Sequence, residues 1–225
     1  MILAAKAKEA QNQIQFDRYA TSAGTLGPYT THIWNQDPRH LGFLLARYKF
    51  CAKMLDGKAR VLEVGCGDAF GLPVVLQTVG HVHGIDFEPL LLADNRKRLA
   101  GGNCAFSVLD ITEARPEGTF DAAYSLDVIE HVPADREDLF CANICAALVR
   151  TGVFIMGTPN VTASAHASEG SRIGHINLKS HGDMRQLLSR YFDNVFMFSM
   201  NDEIVHTGYG PMAHYLIGMG VGVKA

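Results

Sequence analysis

Val61-Leu62-Glu63-Val64-Gly65-Cys66-Gly67-Asp68-Ala69-Phe70-Gly71 runs from an apolar, β-branched segment into a glycine turn and on to a helix start. Glycines at 65 and 67 let the backbone come close to a ligand, and the amide groups of a following helix N-terminus suit an anion. Such a turn is a modest signal alone, because packing turns use it too. Its weight comes from what surrounds it.

From about residue 60 onward short apolar runs alternate with amphipathic stretches, the pattern of a parallel sheet flanked by helices. Strands are predicted at 59–64, 81–85, 104–109, 120–126 and 153–157, with later ones at 194–200 and 212–220 joined by a hairpin-like connection. Helices are predicted over 73–79, 88–100 and 183–191. A further helix follows Pro133, with Phe140, Ile144 and Leu148 recurring every four residues and Arg150 with Gly152 closing it. The polar segment 158–180 is long enough to suggest a role beyond connection. Upstream, residues 1–58 contain predicted helices at 3–19 and 39–55 around a loop holding Tyr29, His32 and Trp34. Residues 1–225 are expected to form a single domain, with 1–58 a helical cap on a core over 59–225.

Each strand after the glycine turn ends in an acid. Asp86 lies where a second-strand carboxylate can accept from both ribose hydroxyls, and Asp110 ends the third strand, where it can take an adenine amine. Strand ends along one edge of a parallel sheet form the crevice where ligands bind. A dinucleotide site would want Gly or Ala at position 70, where this chain has Phe70, and has no use for Glu63. Asp110 also suits a helix N-cap, Glu63 could serve only the turn amides, and Phe87 could be an ordinary core aromatic.

With these residues in place the chain resembles the class I S-adenosylmethionine-dependent methyltransferases. The resemblance rests on Glu63-x-Gly65-x-Gly67, Gly84-Ile85-Asp86, Leu109-Asp110-Ile111, the run Ser125 to Val132 (Ser-Leu-Asp-Val-Ile-Glu-His-Val) and Gly157-Thr158-Pro159-Asn160. It covers about residues 55–160 and is most like the ubiquinone-biosynthesis-like branch that methylates small molecules. Ala69 departs from the third glycine that many members carry. The resemblance implies an α/β, Rossmann-like methyltransferase fold: a seven-stranded, mostly parallel sheet whose last strand runs antiparallel, with helices on both faces. It implies S-adenosyl-L-methionine as cofactor, with Gly65, Cys66 and Gly67 at the methionine moiety and Asp86 at the ribose, where the neighbouring Phe87 could stack on adenine. Asp110 and Ile111 flank the adenine, Leu126 lines the cofactor, and Glu63 stands by its amino group.

Composition narrows the class further. Apolar residues make up 48% and charged residues 19% of 225, which supports a sizeable core and argues against disorder. The net charge of −3 shows no basic stripe, so nucleic acid is not an expected partner. Residues 212–223 are too short and glycine-rich to span a membrane, and the N-terminus breaks into Lys, Glu and Gln before a signal core forms. Five cysteines, none in CxxC spacing, are expected to be reduced in a cytoplasmic protein.

Methyl transfer to a hydroxyl wants a base that titrates near neutrality. His131, just past the fourth strand, is the first candidate for a catalytic role, ahead of His175 and His181 in the polar excursion, where Lys179 adds a charge. No Asp–Asp–Asn set is evident, so no metal is expected. Arg39, His40 and Arg47 lend the cap basic character suited to a polar or acidic acceptor, sugar-like or quinone- or phenol-like. The 29–34 segment could close over that acceptor. A homodimer, a protein or nucleic-acid acceptor, and a non-catalytic cofactor-binding regulator stay open.

Overall fold

A computed structural model describes residues 6–224. Its centre is an eight-stranded sheet in the order β3-β2-β1-β4-β5-β8-β6-β7. The first five strands, β1 (Arg60–Val64), β2 (His81–Asp86), β3 (Cys104–Val108), β4 (Phe120–Leu126) and β5 (Leu148–Pro159), pair in parallel. β8 (Tyr215–Val223) is antiparallel to both β5 and β6 (Phe192–Asn201). Strand order reverses between β1 and β4, which opens a crevice beyond their carboxyl ends.

Side chains alternate across the strands into two apolar layers. Leu62, Val64 and Ala123 face α6 (Glu137–Ala147) and α8 (His181–Tyr191) through Phe140, Ile144, Met184 and Leu188. Val61, Ala122 and Tyr124 pack with Phe50, Cys51, Leu72, Val75 and Leu92 of α3 (His40–Met54), α4 (Leu72–Val75) and α5 (Pro89–Arg98). Both faces are therefore covered, as a parallel sheet requires.

Several elements differ from their sequence-based expectation. The eighth strand, β7 (Ile204–His206), is three residues folded back on β6, with Asp202 in the left-handed region at φ 50° closing the hairpin. A three-residue strand has too few alternations to show in a pattern. The segment around Tyr29, His32 and Trp34 is a helix, α2 (Pro28–Gln36), opened by Pro at its first turn. The first helix, α1, covers Ala10–Thr21; the part of its expected range over 3–5 lies outside the described residues. α4 is one turn, not the 73–79 helix. α6 stops at Ala147 because Leu148 pairs with Phe120, so Arg150 and Gly152 belong to a long β5. Within 158–180 lie a 3-10 segment at Val161–His166 and the short helix α7 (Glu169–Gly174). Ser180 and Asp183 form a capping box that starts α8.

Candidate functional site

The glycine turn between β1 and α4 is held from every side. Gly65 and Gly67 sit at φ 69° and 51°, and a Cβ on Gly65 would stand 2.4 Å from Val128 Cγ2. No other residue type fits there. Ala69 also has a positive φ, 51°, a strained position for a residue with a Cβ. The Gly67 amide donates to Asp86 Oδ2 at 2.9 Å, and the Glu88 amide donates to Oδ1 at 3.0 Å. From beneath, the buried Asn95 donates Nδ2–H to the Gly67 carbonyl at 2.7 Å. From above, Asp68 accepts from the Thr30 amide at 2.7 Å and its hydroxyl at 3.1 Å, so α2 is latched over the turn.

These elements enclose a cavity of about 750 Å³. Gly65, Cys66, Gly67, Asp86 and Phe87 form one end, and Asp110 and Ile111 lie beside it. Asp127, Val128 and His131, from the turn after β4, also line it, with Val128 against Gly65, while Tyr29, Thr30 and Ile33 of α2 roof it. Asp110 Oδ1 accepts from the Thr112 amide at 2.8 Å and hydroxyl at 2.7 Å, so it does cap that turn while still lining the cavity. Phe87 is 72% exposed at the rim, not a core aromatic.

Glu63 and Leu126 do not line the cavity. Leu126 is buried against Gly157. Glu63 is buried one layer behind the turn with Oε2 unpartnered. Burial pushes its carboxyl up to about 8; the Tyr124 and Tyr48 hydroxyls oppose this, and Asp68 and Asp86 add to it. Burial likewise raises the Cys66 thiol.

The acceptor-side candidates separate. His131 is on the cavity wall, its Nδ1 2.9 Å from the Gly174 carbonyl. His175 packs edge-on to it with ring centres 5.1 Å apart, just off the wall. His181 opens α8 beside Gly210, away from the cavity. Lys179 is a buried strut bonded to Glu137 at 2.5 Å. Arg47 does not offer a charge to an acceptor either. Its Nη1 bonds Asp127 Oδ2 at 2.6 Å, and its guanidinium lies 3.7 Å from the Tyr215 ring centre. Arg39 pairs with Asp37 at the surface.

Some residues of the site were not singled out from the sequence: Thr30, Asp68, Asn95 and Glu130. Only Glu130 carried a signal, as an acid between Val128-Ile129 and His131. It is 1% exposed, and its carboxyl is pushed up to about 8 by burial and by Asp127, against bonds from backbone amide and the Thr158 hydroxyl.

Residues 61–152 match a family model described as a methyltransferase domain. The ubiquinone biosynthesis O-methyltransferase of Xanthomonas campestris pv. campestris is 31% identical over 167 residues, 69% of this chain and 65% of that protein. The chain thus spans just under two thirds of the length of that curated relative. The phosphoethanolamine N-methyltransferase of Plasmodium falciparum is 30% identical over 105 residues, 45% of this chain and 40% of that protein. In fold, the chain is similar to the N-methyltransferase NodS from Bradyrhizobium japonicum WM9, solved with S-adenosyl-L-homocysteine. That likeness has a TM-score of 0.63 at 12% identity, covering 84% of this chain and 90% of that one. Over residues 61–152, which carry the glycine turn, the chain is thus similar to a methyltransferase domain. Its sheet is the mostly parallel one expected, with one strand more than seven.

Proposed function

We propose that the chain transfers a methyl group from S-adenosylmethionine to an oxygen or nitrogen of a small polar acceptor, sugar-like or phenol-like. The observation that carries this is one continuous cavity joining the glycine turn, Asp86 and Asp110 to Asp127 and His131. The glycine end fits the cofactor, because Gly65 and Gly67 bring bare backbone to the cavity wall and the Asp86 carboxylate lines it with lone pairs to spare. Gly65, Cys66 and Gly67 take the methionine part, Asp86 the ribose, and Asp110 and Ile111 the adenine with Phe87 stacked beside it, while Glu63 and Leu126 support them from behind. When bound, S-adenosylmethionine supplies a methyl group already activated on a sulfonium.

What the protein adds is alignment and the exclusion of water, worth roughly 7–11 kcal/mol for well-held reactants. The α2 roof excludes water, and the far end, with His131 and beside it His175, binds and activates the acceptor. A purely regulatory binder would need no such second end. The absence of a basic stripe favours a small acceptor over nucleic acid, and the matches to O- and N-methyltransferases fit either acceptor atom. Residues 1–58 and 59–225 act here as one unit, since α2 roofs a cavity built by the strands.

Calorimetry with S-adenosylhomocysteine tests the donor end. Asp86→Ala is expected to weaken binding roughly tenfold or more, the worth of a bond to a charged group, with circular dichroism unchanged. A screen of metabolite extracts with labelled methyl donor tests the acceptor end. With the acceptor so found, His131→Ala should slow methylation steeply and leave S-adenosylhomocysteine affinity in place. An unchanged rate would remove His131 from the site.

A further inference from the structure

We propose that Arg136 is a positioning residue for the purine end of the cavity, acting through Thr112 on Asp110 so that the site reads the exocyclic amine of adenine. That role rests on the donor reading above, in which Asp110 faces the adenine. Arg136 lines the cavity from the 3-10 turn Ala134–Arg136, which lies between His131 and α6. From there its Nη1 donates to the Thr112 hydroxyl oxygen at 3.1 Å and pairs with Glu113.

Donor and acceptor rules then fix where each proton goes. A guanidinium can only donate, and a carboxylate can only accept. The Thr112 oxygen therefore takes a proton from Arg136, and its own single proton points at Asp110 Oδ1, 2.7 Å away. Thr112 is buried, so water competes little for that hydroxyl. Donation from a charged group strengthens the onward bond, because hydrogen bonds in a chain polarise one another. The Thr112 amide donates to the same Oδ1 at 2.8 Å. With Oδ1 taken twice, Oδ2 is the acceptor that Asp110 presents. An adenine amine offers N–H donors to such an oxygen. A purine with a carbonyl in that place offers only lone pairs, which a carboxylate repels.

Two other roles for an arginine on a cavity wall fit less well. Its charge is met by Glu113, so it is not a free site for an anionic acceptor. Nor does the shape of the loop depend on it. Asn143 of α6 donates to the Ile111 carbonyl at 2.7 Å, and Arg115 donates to the Ala146 carbonyl at 3.0 Å. The Asp110 carbonyl accepts from the Glu113 and Ala114 amides at 3.0 and 3.2 Å. The backbone over 110–115 is thus anchored by other groups, and what Arg136 adds is direction at the Thr112 hydroxyl.

The test is calorimetry on the full chain with two probes. One is S-adenosylhomocysteine; the other is S-inosylhomocysteine, in which oxygen replaces the purine amine. The native chain should prefer the amine roughly tenfold or more, the worth of a bond to a charged group. Arg136→Met keeps the aliphatic stem and removes the donors. Its preference should fall below roughly threefold, through weaker binding of S-adenosylhomocysteine, while affinity for the deaminated probe stays native and reports an intact fold. Thr112→Val should lower the preference as far, and the double variant no further, since the two residues act in series. Arg136→Lys keeps a donor for the hydroxyl and should recover part of the preference. A native preference in Arg136→Met would overturn the relay, as would equal weakening of both probes, the mark of a merely structural support. A further drop in the double variant would put Arg136 on the base itself and overturn it too. A native chain that binds both probes equally sinks the relay alone, whereas one that binds neither sinks the donor reading and the relay with it.

Discussion

Glu63 occupies the middle of β1, where its neighbours Leu62 and Val64 are core residues, and its carboxyl is sealed beneath the glycine turn. Burial raises it from 4.5 to about 8. The sign follows from proton counting. Below about pH 4.5 both folded and unfolded chains hold the proton. Between that and about 8 the unfolded chain releases it while the folded chain keeps it, so stability falls as pH rises and the penalty levels off above about 8. Glu130 shifts the same way. Glu63→Gln keeps the shape and removes one of the two titrations. Thermal midpoints measured from pH 4.5 to 9 should coincide with native at the acid end and exceed it at the alkaline end. Parallel curves would mean that Glu63 titrates as an ordinary surface acid.

Among the elements, α2 is tied to the core chiefly at one end. Asp68 accepts two bonds from Thr30, and a Cβ on Gly27 would strike Asp68 at 2.4 Å, so the helix start and the acid fit closely. Asp68→Ala removes that latch. Amide exchange across α2 should speed up while β1, β4 and β5 stay protected, and S-adenosylhomocysteine should bind more weakly as the roof lifts. Exchange unchanged in α2 would show that other contacts seat it. The same helix marks where the sequence stops being legible. Strands β1 to β5 and the glycine turn are written locally, in apolar runs that end in Gly65, Asp86 and Asp110. α2 is not, since its apolar residues include exposed Tyr29 and Trp34 and its anchor lies 38 residues away at Asp68. His175 was legible as chemistry. Its pairing with His131 was not, because it depends on the Ile176 and Asn177 amides of the excursion finding the Glu130 carbonyl.

For the molecule as a whole, Arg47 joins parts that no local pattern connects. It sits on α3, pairs across 80 residues with Asp127 at the end of β4, and covers Tyr215 of β8. Its side chain is 6% exposed and that of Asp127 30%, so one partner is buried and the other faces the cavity. A buried pair adds little net stability when formed, but breaking it strands a charge at about 3–5 kcal/mol. Water in the cavity screens Asp127, which lowers that to about 2 kcal/mol. Arg47→Met keeps the apolar stem over Tyr215 and removes the charge. In a chain of this size the expected fall is roughly 4–8 °C in the thermal midpoint at neutral pH. Asp127→Asn added to Arg47→Met should restore at least part of it, because the stranded charge is gone. If the single variant melts like native, the ion pair contributes nothing to holding cap and sheet together. If the double variant melts lower still, the loss came from packing over Tyr215 and not from charge.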